Sequence, residues 1–316
     1  MSIITNLGPL FAVIVIGALL KTLGILPAEA APLIARVVMT LTLPALVFTS
    51  MRRAYDEGIQ ITPGLLIQIP LLAYLVIAAS GGLAWLAGRA LELDRPQKGA
   101  LMLASMFGST AFLGYPLFEE LARLQKIGAT GSVAHVVYSE IGTLVALVTV
   151  GLMVASVYGE GAELTWRNLL AVPRAAPFIA LAIGLLFYND PLWPVITDLM
   201  KLMGSTTSFL MMLYLGMSIV GSGLLAYWKP ILASQAIKLL FAPLLALILA
   251  VLFQMNGENK DLLLVAVIDS STPSILLCLA YAAQYKLDLR LATALVFSSF
   301  VFSLLTMGIW LALVIQ

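Results

Sequence analysis

Long apolar runs alternate with short polar breaks from one end of the chain to the other. A membrane-crossing helix needs about 20 mostly apolar residues. Ten stretches meet that length: 3–23, 29–51, 63–91, 97–125, 129–158, 166–188, 191–222, 229–254, 259–285 and 288–314. Their connections are short, with no low-complexity tract and no linker that would set off a soluble domain. The pattern predicts an all-α polytopic membrane protein of ten transmembrane helices. The longest polar interruption, Gly159–Arg167, parts the chain into residues 1–158 and 159–316, with five stretches in each.

Two segments carry polar residues where lipid-facing helix would be expected. Segment nine holds Asp269, Ser270, Ser271, Thr272 and Pro273 at its middle, and segment four holds Gly108, Ser109, Thr110, Gly114, Tyr115 and Pro116. Proline removes a helix N–H and clashes with the preceding turn. Irregular backbone at membrane depth is tolerated only where protein or water surrounds it. Both segments therefore read as broken helices lining a site. Each break follows a short apolar half-helix, Gly99–Phe107 and Asp261–Ile268. Interruptions in corresponding positions of two halves are a pointer to a transporter binding site. With five spans per half, the second half is inverted relative to the first.

Thr272 followed by Pro273 reads as a helix start, with a hydroxyl at the cap and proline in the first helical position. Gly114-Tyr115-Pro116 reads as a similar restart. Each restarted half-helix would present free N–H groups and a positive dipole end, and two such ends facing each other would hold an anion. Ser109, Thr110, Ser270, Ser271 and Thr272 would add hydroxyl donors. The plainer reading is a pair of ordinary proline kinks.

Composition narrows the class. Only 10% of the residues are charged and 61% are hydrophobic, against about 25% charged in soluble domains, so the chain is an integral membrane protein. A net charge of +1 gives no electrostatic footprint for nucleic acid. One histidine and one cysteine cannot build a zinc site of the usual kind. No His-Glu-x-x-His, Gly-x-Ser-x-Gly or phosphate-binding Gly-x-x-x-x-Gly-Lys loop is present. An enzyme is not expected, nor ATP hydrolysis; transport would run downhill or on an ion gradient. The N-terminus lacks the basic stretch of a cleaved signal and reads as a retained helix.

Four ionisable residues lie deep in spans. Asp269 sits at a break, where a carboxylate is costly and ordinarily faces a cavity or a partner. It is a candidate for H+ or Na+ coupling, or for holding the freed backbone of the break. Lys238 lies nine residues into segment eight and would neutralise Asp269 or Glu140, attract an anion, or snorkel to the surface. Segment five carries His135, Tyr138, Ser139 and Glu140. His135 and Ser139 are one turn apart and share a face with Tyr138, as a proton relay or as a packed, hydrogen-bonded histidine. Cys278 reads as a small buried apolar residue.

Lys and Arg favour cytoplasmic loops. Nine lie after odd-numbered segments (Lys21, Arg89, Arg95, Lys98, Arg167, Arg174, Lys229, Lys286, Arg290) and six after even-numbered ones (Arg52, Arg53, Arg123, Lys126, Lys201, Lys260). The bias puts both termini outside the cytoplasm, in the cell (inner) membrane.

The chain resembles a prokaryotic member of the auxin efflux carrier family over essentially its whole length. Pro9-Leu10-Phe11 with Gly17-Ala18-Leu19-Leu20-Lys21 is similar to the opening helix, and Leu43-Pro44-Ala45-Leu46-Val47-Phe48 to the second. Phe107–Leu117 is similar to the fourth, Lys238–Leu244 to the eighth, and Thr272-Pro273-Ser274 with Ala280, Tyr285 and Asp288 to the ninth. The resemblance implies two inverted five-helix repeats with helices four and nine crossing at mid-membrane. It implies a scaffold domain of helices 1, 2, 6 and 7, a transport domain of helices 3–5 and 8–10, and a homodimer. It also implies a small organic anion held by its carboxylate near the crossover. Two departures stand out. Ser109 occupies a position where the family commonly has an Asn tied to substrate recognition, and Thr206-Thr207-Ser208-Phe209 lacks a proline matching Pro44. An alternative is a sodium- or proton-coupled carrier of the bile-acid-symporter type, with Asp269 as the cation site.

Overall fold

The computed structural model describes residues 3–27, 29–45, 48–49, 63–114, 117–118, 121–122, 124–159, 179, 183, 194–219, 224–255 and 260–315. Nearly all of segment six, and with it the count of ten spans, lies outside them; so do Tyr115 and Pro116. Among the described residues there is no strand. The helices are α1 (Ile3–Thr22), α2 (Ala30–Val37), α3 (Pro63–Ala90), α4 (Arg95–Met106), α5 (Thr130–Tyr158), α6 (Pro194–Ile219), α7 (Trp228–Leu252), α8 (Lys260–Ser271), α9 (Leu277–Gln284) and α10 (Leu289–Val314). Among them Leu65–Ala90, Thr130–Tyr158, Trp228–Leu252 and Leu289–Val314 are long and apolar enough to cross a membrane. Charge and apolarity are inverted relative to a soluble protein. Lys238, Asp269 and Glu140 are buried, while Leu202, Leu252 and Leu305 stand about two-thirds or more exposed, at 67%, 68% and 72%. Lipid is the solvent that such a surface suits.

The helix ends follow local rules. Asp94 caps α4 in a reciprocal capping box: it accepts from Gln97 N–H at 2.8 Å while its own N–H donates to the Gln97 side chain at 3.3 Å. Asp288 caps α10, accepting from Leu291 N–H at 2.9 Å. The start of α5 is capped from elsewhere in the chain: Gly128 N–H donates to Asp261 of α8 at 2.8 Å. α1 and α6 cross at Gly17 and Gly216, where a Cβ on Gly216 would run into the Ile14 carbonyl.

Among the described residues four spans contain π-helical stretches: Val38–Thr42 after α2, Thr110–Gly114 in segment four, Val137–Leu144 and Leu147–Gly151 within α5, and Ala236–Phe241 within α7. A wider turn leaves carbonyls off the α-helical ladder, and π-bulges gather at functional sites. Aromatic side chains take up the spare carbonyls. Trp310 Nε1 donates to Leu239 O at 2.9 Å, Tyr281 OH to Leu147 O at 3.3 Å and Tyr74 OH to Ile141 O at 2.6 Å. The first has a visible sequence cause. Pro243 lacks the N–H that would bond Leu239 O in an α-helix.

Among the described residues the apolar interior forms two cores. The first gathers α4, α9, the C-terminal half of α5, the N-terminal half of α10 and the inner faces of α1, α2 and α6. The second gathers α8, Leu113, Leu117, Phe118 and Leu121 of segment four, the start of α5, and the C-terminal parts of α7 and α10. Segment four thus runs from the first core into the second, and segment nine runs from the second into the first.

Candidate functional site

Between the two cores both segments lose their helical form. α4 ends at Met106, and Phe107 is extended at φ −109°, ψ 130°. α8 ends at Ser271, and the chain is non-helical until the turn that opens at Ile275. The two stretches lie side by side, antiparallel, with Gly108 opposite Ser274. Ser109 N–H donates to Pro273 O at 2.7 Å, and Ile275 N–H to Phe107 O at 2.9 Å. Each unwound stretch supplies the backbone partners that the other lost, which is how irregular backbone survives at this depth.

The polar residues of segment nine are spent on the end of α8. Helix C-termini leave their last carbonyls without intrahelical partners. Here Ser271 Oγ donates to Ile268 O at 2.8 Å, Thr272 Oγ1 to Asp269 O at 2.7 Å and Lys238 Nζ to Ser270 O at 2.7 Å. Thr272 therefore finishes α8 and does not begin the next helix. Pro273 is extended, and α9 starts at Leu277, four residues later than the sequence suggests. In segment four, Thr110–Gly114 is already a π-helical turn, so the break precedes Gly114 by several residues and follows the bond from Ser109 to Pro273. The backbone pairing sets where the two stretches meet, and Pro273 contributes to the end of α8 by leaving Asp269 O without an N–H four residues on, which Thr272 Oγ1 replaces.

Gly108 and Gly114 are needed for close approach. A Cβ on Gly108 would meet Thr272 Oγ1 and would lie 2.9 Å from Lys238 Nζ. A Cβ on Gly114 would lie 2.6 Å from His135 Cε1 and 3.2 Å from Asp269 Oδ1.

α5 faces both breaks. His135 Nδ1 sits 3.1 and 3.0 Å from the two carboxylate oxygens of Asp269, and both side chains are buried. Phe118 stacks on the imidazole at 4.2 Å between ring centres. Tyr138 OH and Ser270 Oγ share a hydrogen bond of 2.8 Å. Ser139 donates to Glu140 Oε1 at 3.3 Å, so its 3.1 Å bond with Thr110 has Thr110 as the donor. Of the roles the sequence left open for Lys238, direct ion pairing with Asp269 or Glu140 is not seen among the described residues, though Lys238 and Asp269 lie within electrostatic reach of each other. Asp269 is held by His135, and Lys238 donates to the Ser270 carbonyl beside Gly108.

Of the residues singled out in the sequence, Ser109, Thr110, Gly114, Ser270, Ser271, Thr272, Pro273, Asp269, Lys238, Glu140 and His135 all belong to this cluster or contact it. Gly108 and Ser274, named in the sequence only as parts of the two motifs, also take part, and Ser299, which the sequence did not single out, accepts from Ser274 N–H at 2.9 Å. The adjacent Ser298-Ser299 pair in an otherwise apolar span was the legible signal for α10. Within the cluster the buried hydroxyls of Ser109 and Ser274 have no hydrogen-bond partner. Such groups are costly in an apolar interior.

A family model described as membrane transport protein matches residues 2–162 and 161–311. The chain belongs to that family. It is the auxin efflux carrier-like family to which the sequence motifs pointed. The chain is 28% identical over 305 residues to an uncharacterized transporter of Methanocaldococcus jannaschii, covering 94% of each chain. It is 28% identical over 298 residues to an uncharacterized transporter of Methanothermobacter thermautotrophicus, covering 94% of this chain and 93% of the relative. Membership makes the protein an integral membrane transporter and not an enzyme.

Proposed function

We propose that the protein is a secondary-active or facilitative transporter of a small organic carboxylate, working by alternating access, with the anion held at the crossover of the two broken segments. The observation that carries this reading is a buried lysine amine, Lys238 Nζ, set against Gly108 and the Ser270 carbonyl where two unwound stretches meet, stretches that also hold the unpartnered hydroxyls of Ser109 and Ser274. A carboxylate at this junction would gain a cation and two hydroxyl donors, with main-chain N–H groups at the start of α9 close by. Glu140, Asp269 and His135 form the surrounding charge network.

Ten spans in two inverted repeats, residues 1–158 and 159–316, are part of the same reading. Segments four and nine traverse the two cores in opposite directions. Each also clasps the other half's fifth span in the same way. Asp261 at the start of α8 bonds Gly128 at the start of α5, and Gln97 at the start of α4 donates to Asp288 at the start of α10 at 3.3 Å. That reciprocity supports a two-fold relation in the membrane plane. On this reading segments 1, 2, 6 and 7 form the scaffold and segments 3–5 and 8–10 the moving domain, in a homodimer in the cell (inner) membrane with both termini outside the cytoplasm.

The test is flux in liposomes holding the purified protein, with labelled acetate, malonate, malate, succinate and indole-3-acetate as probes. Saturable flux of at least one, reduced by Lys238→Met, is expected. Absence of flux in either direction, under proton, sodium and zero gradients alike, would sink the reading.

A further inference from the structure

We infer that anion movement is coupled to a proton, carried by the His135–Asp269 pair, and not to sodium. The inference rests on the carrier reading above and names its coupling ion.

Sodium, like other hard cations, is bound by clustered oxygen ligands. In carriers with broken helices those ligands are unwound carbonyls and the C-terminal ends of half-helices. Several of the matching oxygens already accept a hydrogen bond, which a sodium ion would have to share or displace. Ile268 O, Asp269 O and Ser270 O at the end of α8 accept from Ser271, Thr272 and Lys238. Pro273 O and Phe107 O accept from the opposite strand. Both oxygens of Asp269 face His135 Nδ1. The donor at Ser270 O is the Lys238 side chain, which a cation would have to displace from that oxygen.

The same geometry suits a proton. With Asp269 as the carboxylate, Nδ1 carries its hydrogen, and the other ring edge lies against Gly114, the bare backbone of segment four. Uptake of one proton gives the imidazolium, with hydrogens on both ring nitrogens and Asp269 still a carboxylate; release reverses it. The charged and titratable groups around the pair are Lys238 from α7 and Tyr138 from α5, with Glu140 beyond Ser139 and Cys278 of α9 within electrostatic reach of Lys238. Asp269 and Glu140 already place two carboxyl groups in this cluster. A substrate carboxylate adds negative charge, and protonating the pair removes it. Each event favours the other, and the coupling is reciprocal by linkage.

His135 is the single histidine of the chain, so protein labelled with ¹⁵N-histidine and freed of any tag reports the pair by NMR without a substrate. We expect the imidazole ¹⁵N signals to respond to added acid, to respond differently in Asp269→Asn, and to be indifferent to exchanging sodium for potassium. A pH-sensitive dye trapped in liposomes should then show acidification when malonate, malate or another transported probe enters, and His135→Gln should abolish it, whatever anion flux remains. An imidazole whose signals are the same in wild type and Asp269→Asn, or anion flux with no proton movement, or flux that requires sodium, overturns the inference and leaves the carrier reading standing. No flux of any probe overturns both.

Discussion

Gly108 lies directly opposite Ser274, and the pair joins two helices that would otherwise end in the middle of an apolar slab. The junction has no spare room on the Gly108 side, where Thr272 Oγ1, Lys238 Nζ and the Asp269 carbonyl crowd the place of a Cβ. Gly108→Ala must push one of these donors off its carbonyl. Overpacking of this kind costs about 1–3 kcal/mol. The variant is expected to melt several degrees lower in detergent and to lose most transport. An unchanged melting temperature would mean that the two stretches do not touch as described.

Lys238 is the one cation placed at the junction among the described residues, so its removal separates charge from packing. Lys238→Met keeps the volume and loses the ammonium. Carboxylate binding should weaken by tenfold or more. A ligand at about 100 times its Kd stabilises wild type by about 2.7 kcal/mol; at the same concentration the variant should gain little. Ser270 O then lacks its donor at a cost of about 1–3 kcal/mol, so the unliganded variant should itself melt somewhat lower. A thermal-shift series with the carboxylate probes measures both effects at once. Equal ligand-induced shifts in the two proteins would place the anion elsewhere.

The existence of the breaks was legible because hydroxyls, a carboxylate and proline inside an apolar span are costly unless the helix opens there onto protein or water. Their boundaries were not legible. Pro273 and Pro116 drew attention as helix starts, yet the backbone pairing of Ser109 with Pro273 and of Ile275 with Phe107 sets where the helices stop. That pairing is a contact between residues more than 160 positions apart, and no local rule reports it. Asp269 was recognisable as a residue that needed a partner. Choosing His135 over Lys238 required knowing which face of α5 meets α8, and the π-helical stretch over Val137–Leu144 shifts that face away from simple helical periodicity. The Leu239 carbonyl could be read from Pro243, because a proline four residues on always orphans it.

Two aspartates tie the ends of spans across the two halves. Asp261→Ala removes the acceptor for Gly128 N–H, and Asp288→Ala removes both the cap of α10 and the bond from Gln97. Cap losses cost about 0.5–2 kcal/mol, and the exposed setting of Gly128 puts Asp261→Ala at the low end. The flanking residues belong to different cores, so the double variant should equal the sum of the singles within about 0.5 kcal/mol. A larger interaction energy from unfolding in denaturing detergent would put the two caps on the same side of the protein, against the inverted arrangement.

Cys278 is the single cysteine of the chain and lies buried near the start of α9, within electrostatic reach of Lys238. A thiol enclosed in apolar surroundings stays protonated and inert. Native protein should therefore react with a maleimide far more slowly than protein unfolded in detergent. Because its charged neighbour Lys238 belongs to the same proposed moving domain, Cys278 should stay protected whichever side the carrier opens to, with or without a carboxylate probe. Gly108→Ala disturbs the junction that precedes α9 and should raise the labelling rate without full unfolding. Mass spectrometry of the labelled intact chain, sampled over time, reads all three conditions. Fast labelling of native wild type would show that α9 separates from its surroundings during the cycle, and would move the boundary between scaffold and moving domain into segment nine.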